Sequence, residues 1–205
     1  MGPLPLVILL LLGGTDPPPT PGTPTSTSPN DPPVPITGAG RLEWAVKNTI
    51  GPASLLTGVL SATYGTVMNH PREYGESFEG FAKRYGLDLT GVATSNVMEA
   101  GLGMIWGEDP RYHRSEGTFR ERFHRTVKMT FLSENRDGSM MPAYARYIAI
   151  AGSNVLSDTW RPNSDRDRVD TVERIGEGFG GRLLRNLWEE FWPDVKERLP
   201  LFKKH

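Results

Sequence analysis

Ser54, Gly58, Ser61 and Gly65 follow one another at spacings of four, three and four, so on a helix they line a single narrow face. Glycine inside a helix costs about 0.5 to 1 kcal/mol relative to alanine, and a seam of this kind persists where two backbones must come close. Gly91 with Ser95, Gly103 with Gly107, and Gly176 with Gly180 repeat the arrangement. The bulk that accompanies the first seam, Leu55, Leu56, Val59 and Leu60, sits between its members. The expected product is a compact bundle of closely packed helices.

Apolar spacing supplies the helices. Tyr74, Phe78, Phe81, Ala82 and Tyr85 fall at helical intervals after Pro71, with Glu79 and Lys83 as an outward i,i+4 pair. Thr118 is placed to cap a helix carrying Phe119, Phe123, Val127 and Phe131, and Pro142 to open one with Tyr144, Tyr147, Ile148, Ala151 and Val155. Ser164 and Asp167 resemble a capping pair ahead of Val169, Val172, Phe179, Leu183, Leu187 and Phe191. The prolines act as punctuation between these segments. Period-2 alternation is scarce, so the fold class expected is all-α, with about five to six helices.

That domain covers residues 38–205. Residues 1–15 read as a signal peptide-like segment: Leu4 to Leu12 is apolar apart from Pro5, and Gly13, Gly14 and Thr15 form a small-residue cleavage zone. Residues 16–37 hold nine prolines, five threonines and two serines, with too little apolar bulk to offset the entropy of ordering, and read as a disordered linker.

Composition closes several classes of function. The 205 residues contain no cysteine, which removes disulfides, thiolate metal sites and a cysteine nucleophile. With 23 Lys and Arg against 24 Asp and Glu, the formal charge is −1, so nucleic acid is not expected as a partner, and with no G-x-x-x-x-G-K-[ST] string neither is a nucleotide. Residues 48–71 have no charged side chain and are long enough to span a bilayer, but their Asn, Pro, His and hydroxyl content makes transfer into hydrocarbon marginal. A helical hairpin through 49–68 and 89–106 is the membrane-spanning alternative.

No motif assigns a cofactor. Gly176 to Gly181 satisfies G-x-G-x-x-G, yet the charged residues before it form no strand, so helix packing explains the string better. Glu73, Glu76 and Glu79 lack the Glu-x-x-His partner of a di-metal bundle, and His70, His113, His124 and His205 are too dispersed for a metal triad. Glu99 is the only charge between Leu89 and Trp106, and shares a helical face with Asp88 and Ser95. Such a carboxyl either has a raised pKa and serves as a general acid or base, with Asp109 or His113 as companion, or pairs with an arginine of a neighbouring helix. Arg120, Arg122, Arg125 and Lys128 form a basic run that either contacts lipid head groups or phosphate, or pairs with Glu108, Asp109, Glu116 and Glu121. Trp188 and Trp192, beside Phe191, make an aromatic belt better suited to core packing than to an interface.

Glu73-Tyr74-Gly75, Gly80 to Gly86, Gly107 to Tyr112 and Pro142 to Tyr147 together resemble a group of exported bacterial proteins known mainly from soil bacteria, in which Tyr-Gly, Arg-Tyr-Gly and Asp-Pro-Arg-Tyr elements recur in this order. The likeness runs from about Trp44 to Asp194. It implies an envelope location and a helical fold, assigns no catalytic residue, and makes Arg111 and Tyr112 a tie between a turn and neighbouring helices. The function expected is therefore that of an exported helical protein of the bacterial cell envelope, with a binding or structural role toward envelope lipid or another envelope protein. The competing expectation is an exported hydrolase using Glu99 with Asp109 or His113.

Overall fold

A computed structural model of the chain describes residues 35–198. The signal-like segment, linker residues 16–34 and His205 lie outside the described residues. Among the described residues six α-helices dominate: α1 (Gly38–Ile50), α2 (Pro52–Val67), α3 (Phe78–Trp106), α4 (Phe119–Phe131), α5 (Tyr144–Ser157) and α6 (Arg168–Arg198). A small antiparallel sheet joins them, with β1 (Glu108–Asp109), β2 (Leu132–Asn135) and β3 (Met140–Pro142) in that order. Glu108 is paired with Asn135, and Leu132 with Pro142. The all-α expectation thus needs this sheet added; strands of two to four residues are too short to leave an alternating pattern.

The helix ends follow local chemistry. The Thr37 hydroxyl accepts the Gly40 amide at 3.1 Å to start α1, and Ser77 does the same for the Gly80 amide at 3.2 Å in α3. Thr118 and Glu121 form a reciprocal capping box on α4. Gly107 ends α3 with φ of 80°, the left-handed turn that glycine enters without steric cost. Three boundaries differ from expectation. Tyr74 belongs to a separate 3-10 turn, and α3 begins only at Phe78. The Ser164 hydroxyl donates to Glu73 at 2.5 Å instead of capping α6, while Asp167 accepts the Arg168 amide at that helix's start. Pro193 lies within α6 rather than at its end.

Helix α3 is the axis of the domain. The first seam of small residues faces it: a methyl placed on Gly58 would lie 3.0 Å from the Tyr85 ring, and one on Gly65 would lie 3.0 Å from the Arg84 side chain. The Ser61 hydroxyl donates to Asp88 at 2.8 Å. Trp44, Ala45 and Ala100 form a small apolar core between α1 and α3, against which Ile36 packs. Of the other seams only Gly103 marks a close approach, its missing side chain leaving room for the Arg41 guanidinium and the Glu108 carbonyl. Gly107 is a turn residue, Gly91, Gly176 and Gly180 have open space where a side chain would go, and in α6 it is Gly178 that presses on Ile150.

The large side chains buried in the long helices are polar. Arg174, Arg182, Asn186 and Glu190 are the buried residues of α6, and Arg84, Asn96 and Glu99 the buried polar ones of α3. The apolar stripes that defined these helices in the sequence are only half-buried or exposed: Phe179 and Phe191 of α6 pack against Phe131 and Phe119 of α4, while Phe78, Val169 and Val172 face outward, Phe78 being 84% exposed. Among the described residues no helix is long and apolar enough to cross a membrane.

Candidate functional site

The chemistry-bearing side chains of the described residues collect into linked ion-pair clusters inside the bundle. The deepest centres on Glu99 of α3. Its Oε1 accepts from Arg146 Nε of α5 at 2.9 Å, and its Oε2 from Arg182 Nη1 of α6 at 3.2 Å. Burial alone would raise this carboxyl, but Arg182, Arg146 and Arg185 outweigh it and hold the pKa below its ordinary value. The raised pKa a general acid would need is absent here, because α5 and α6 each deliver a guanidinium to the same carboxylate.

Both arginines also donate to backbone, although the buried Arg182 Nε has no hydrogen-bond partner. Arg146 Nη1 donates to the carbonyls of Met129, Thr130 and Leu132 at 2.7 to 3.2 Å, satisfying the exposed end of α4. Arg182 Nη2 donates to the Pro110 carbonyl at 2.6 Å, so this residue stands between Glu99 and the turn carrying Asp109 and His113. The Trp44 ring lies 5.5 Å from the Arg182 guanidinium and 5.8 Å from that of Arg185.

Asp109 and His113 are engaged elsewhere. Asp109 accepts from the Arg111 amide at 2.9 Å and from its guanidinium at 2.6 to 3.1 Å. His113 Nδ1 lies 3.2 Å from Glu134, whose carboxyl is held below its usual range first by that histidine contact. Glu134 also pairs with Arg125 at 3.2 Å. The structure therefore does not assemble Glu99, Asp109 and His113 around a shared space.

A second cluster ties α4 to α6. Glu190 accepts from Arg122 Nε at 2.5 Å, the Tyr112 hydroxyl at 2.8 Å and the Ser115 amide at 3.2 Å. Burial would raise this carboxyl, but Arg122 and Tyr112 lead the groups that lower it on balance. Burial pushes the Tyr112 phenol up to about 12. Asp194 holds Arg122 at 2.6 Å and Arg114 at 2.7 Å. The basic run is thus divided: Arg122 points inward as a tie, while Arg120, Arg125 and Lys128 are exposed. The carboxylates meeting this run are Glu134, Glu190 and Asp194, instead of the four nearer in sequence.

Two further clusters complete the arrangement. Asp165 accepts from Arg161 at 2.6 Å and from Arg174 at 3.2 Å, and Arg174 also reaches Asp158. Glu108 receives the Ala145 amide at 3.1 Å, so the first turn of α5 is capped by a residue 37 positions earlier. None of Arg146, Arg174, Arg182 and Glu190 was a sequence candidate. The missed signal is polar periodicity: Arg174, Gly178, Arg182, Asn186 and Glu190 recur every fourth residue on one face of α6.

Enclosed space beside these groups is scant. A void of about 10 Å³ lies among Ile36, Arg41, Gly107, Asp109, Glu134 and Arg136, room for about one water molecule. A shallow hollow at Arg114, Ser115, Glu116, Gly117 and Arg122 opens to solvent, but its two arginines are already bound to carboxylates. Among the described residues no group of three or more His, Asp or Glu is placed to hold a metal ion. The Gly176–Gly181 string lies inside α6, away from any helix start where a pyrophosphate would sit. No protein-family model, curated protein or solved structure matches the chain.

Proposed function

We propose that the protein is an exported helical component of the bacterial cell envelope with a binding or structural role. The observation that carries the non-catalytic part of this reading is the state of Glu99: 4% exposed, with both oxygens committed to arginines that also support the backbone of α4 and of the 110 turn. A carboxylate held in this way fixes three helices relative to one another. Its lowered pKa does not suit a general acid, and its burial with both oxygens engaged does not suit a base or nucleophile. Export is supported by the apolar stretch Leu4–Leu12 and the Pro/Thr/Ser-rich segment that follows it.

Fractionation of the native host with mass spectrometry of the N-terminus tests the reading. A chain in the envelope fraction beginning near Asp16 is the expected result. A cytosolic chain retaining Leu4–Leu12 would overturn it.

A further inference from the structure

Among the described residues five carboxylates are buried: Glu99, Glu108, Asp109, Asp165 and Glu190. Four of them hold arginine guanidinium groups at 2.5 to 3.2 Å: Glu99 from Arg146 and Arg182, Asp109 from Arg111, Asp165 from Arg161 and Arg174, and Glu190 from Arg122. Glu108 differs. It is 3% exposed, and among the described residues no cationic nitrogen lies within 4.0 Å of its oxygens. Its Oε1 accepts the Ala145 amide at 3.1 Å and its Oε2 the Ser133 hydroxyl at 3.3 Å, so one carboxyl joins β1, β2 and the start of α5.

The charged groups around it do not replace the missing partner. Arg41 of α1 donates at 2.7 Å to the backbone carbonyl of Glu108, not to its side chain. Arg146 of α5 is bound to Glu99 of α3, and the Glu99 charge disfavours a second anion nearby. On the strands, Asp109 is held by Arg111, and Glu134 by Arg125 and His113. Arg136, in the turn between β2 and β3, donates to the Met104 carbonyl at 3.0 Å. Burial therefore raises the Glu108 carboxyl above its ordinary range, and the Ala145 amide, the Ser133 hydroxyl and Arg146 offset only part of this.

We propose that Glu108 is a proton-binding switch in the joint between the sheet and α5: it carries a proton in acid and loosens the joint when it releases it. A buried carboxyl without a counter-ion is less costly to keep neutral than charged. The neutral form keeps its contacts, since one oxygen still accepts the Ala145 amide and the new O–H has the Ser133 oxygen to donate to. The sign is opposite to that of an arginine-held carboxyl such as Glu190. With the folded pKa raised, the stability that Glu108 adds is fully present below the unfolded value of about 4.3 and is lost as pH rises through the folded one. Release sets an unpaired charge under the first turn of α5, the turn from which Arg146 reaches Glu99 and the end of α4. This behaviour is independent of the compartment the chain occupies, so it stands or falls separately from export.

Carbon-13 NMR of the full chain, with the Glu108 carboxyl assigned through its own backbone, reads the proton directly. The carboxyl is expected to titrate with a midpoint above about 4.3. Hydrogen exchange of the Ala145 amide, corrected for its intrinsic pH dependence, is expected to lose protection as pH rises through that midpoint. Glu108→Gln, an isosteric stand-in for the protonated form, is expected to show no such step; the two readings on the parent decide the matter without it should that variant not fold. A Glu108 midpoint at or below about 4.3 overturns the proposal, as does a raised midpoint across which the Ala145 protection is unchanged or a step that persists in folded Glu108→Gln.

Discussion

At the scale of single residues, Glu99 is a structural charge. Glu99→Gln leaves Arg146 and Arg182 buried without their counter-ion, a loss of about 3 to 5 kcal/mol and hence of roughly 10 °C in melting temperature by calorimetry. A catalytic carboxyl would accept the same change with its melting temperature intact. Glu190 predicts a pH effect. Its pKa is lowered by folding, so near and below the ordinary glutamate value of about 4.3 the unfolded chain binds the extra proton. The stability it contributes is present above that value and disappears as pH falls through the lower, folded pKa. Glu190→Gln is expected to flatten the acid side of a stability-versus-pH curve measured by urea unfolding; an acid limb as steep as that of the parent would contradict the assignment. The sequence singled out Glu99 because it was alone in an apolar stretch, and the pairing with an arginine was one of its two readings. It could not show which arginine, since Arg146 and Arg182 lie 47 and 83 positions away.

At the scale of elements, helices were legible and so was the inward small-residue face of α2, but the inward faces of the other helices were not. Thr118 was readable as a cap because capping depends on residues within one turn, and Thr118→Ala is expected to cost about 1 kcal/mol, seen as a fall of a few degrees in melting temperature. The aromatic positions Phe119, Phe123 and Phe131 established the period of α4 correctly, yet its buried residues are Thr126, Met129 and Thr130. Periodicity reports that a face exists; which face is covered depends on the size and polarity of what packs there. The glycines separate these two effects. Gly65→Ala brings a methyl within 3.0 Å of Arg84 and 3.1 Å of the His70 carbonyl and is expected to destabilise. Gly176→Ala meets open space on an exposed helix face and is expected to stabilise by about 0.5 to 1 kcal/mol, so thermal melts of the two variants should move in opposite directions. The sheet was invisible in the sequence because β1, β2 and β3 are each shorter than the alternation needed to see them.

At the scale of the whole molecule, uniqueness of packing rests on charges more than on apolar bulk. Small residues let the helices close in, and the arginines then measure the distances between them, each joining a carboxylate to backbone from another element. Replacing the central triad by Arg146→Met, Glu99→Leu and Arg182→Met removes its charges together but also takes the donors from the carbonyls of Met129, Thr130, Leu132 and Pro110, so the chain is expected to melt below the parent. Its amide NMR spectrum is expected to lose dispersion; a spectrum as sharp as the parent's would show that the charges contribute nothing to uniqueness. The partners of α6 carry a consequence for how the chain is made. Arg174 holds Asp158 and Asp165, Arg182 holds Glu99 and Pro110, Asn186 holds Thr130, and Glu190 holds Tyr112 and Arg122. Translation runs from the N-terminus, so until this stretch leaves the ribosome α3, α4 and the segments around 110 and 160 carry polar groups whose partners do not yet exist. A nascent chain keeps such groups in water, and the lock closes only when the closing key has been synthesised.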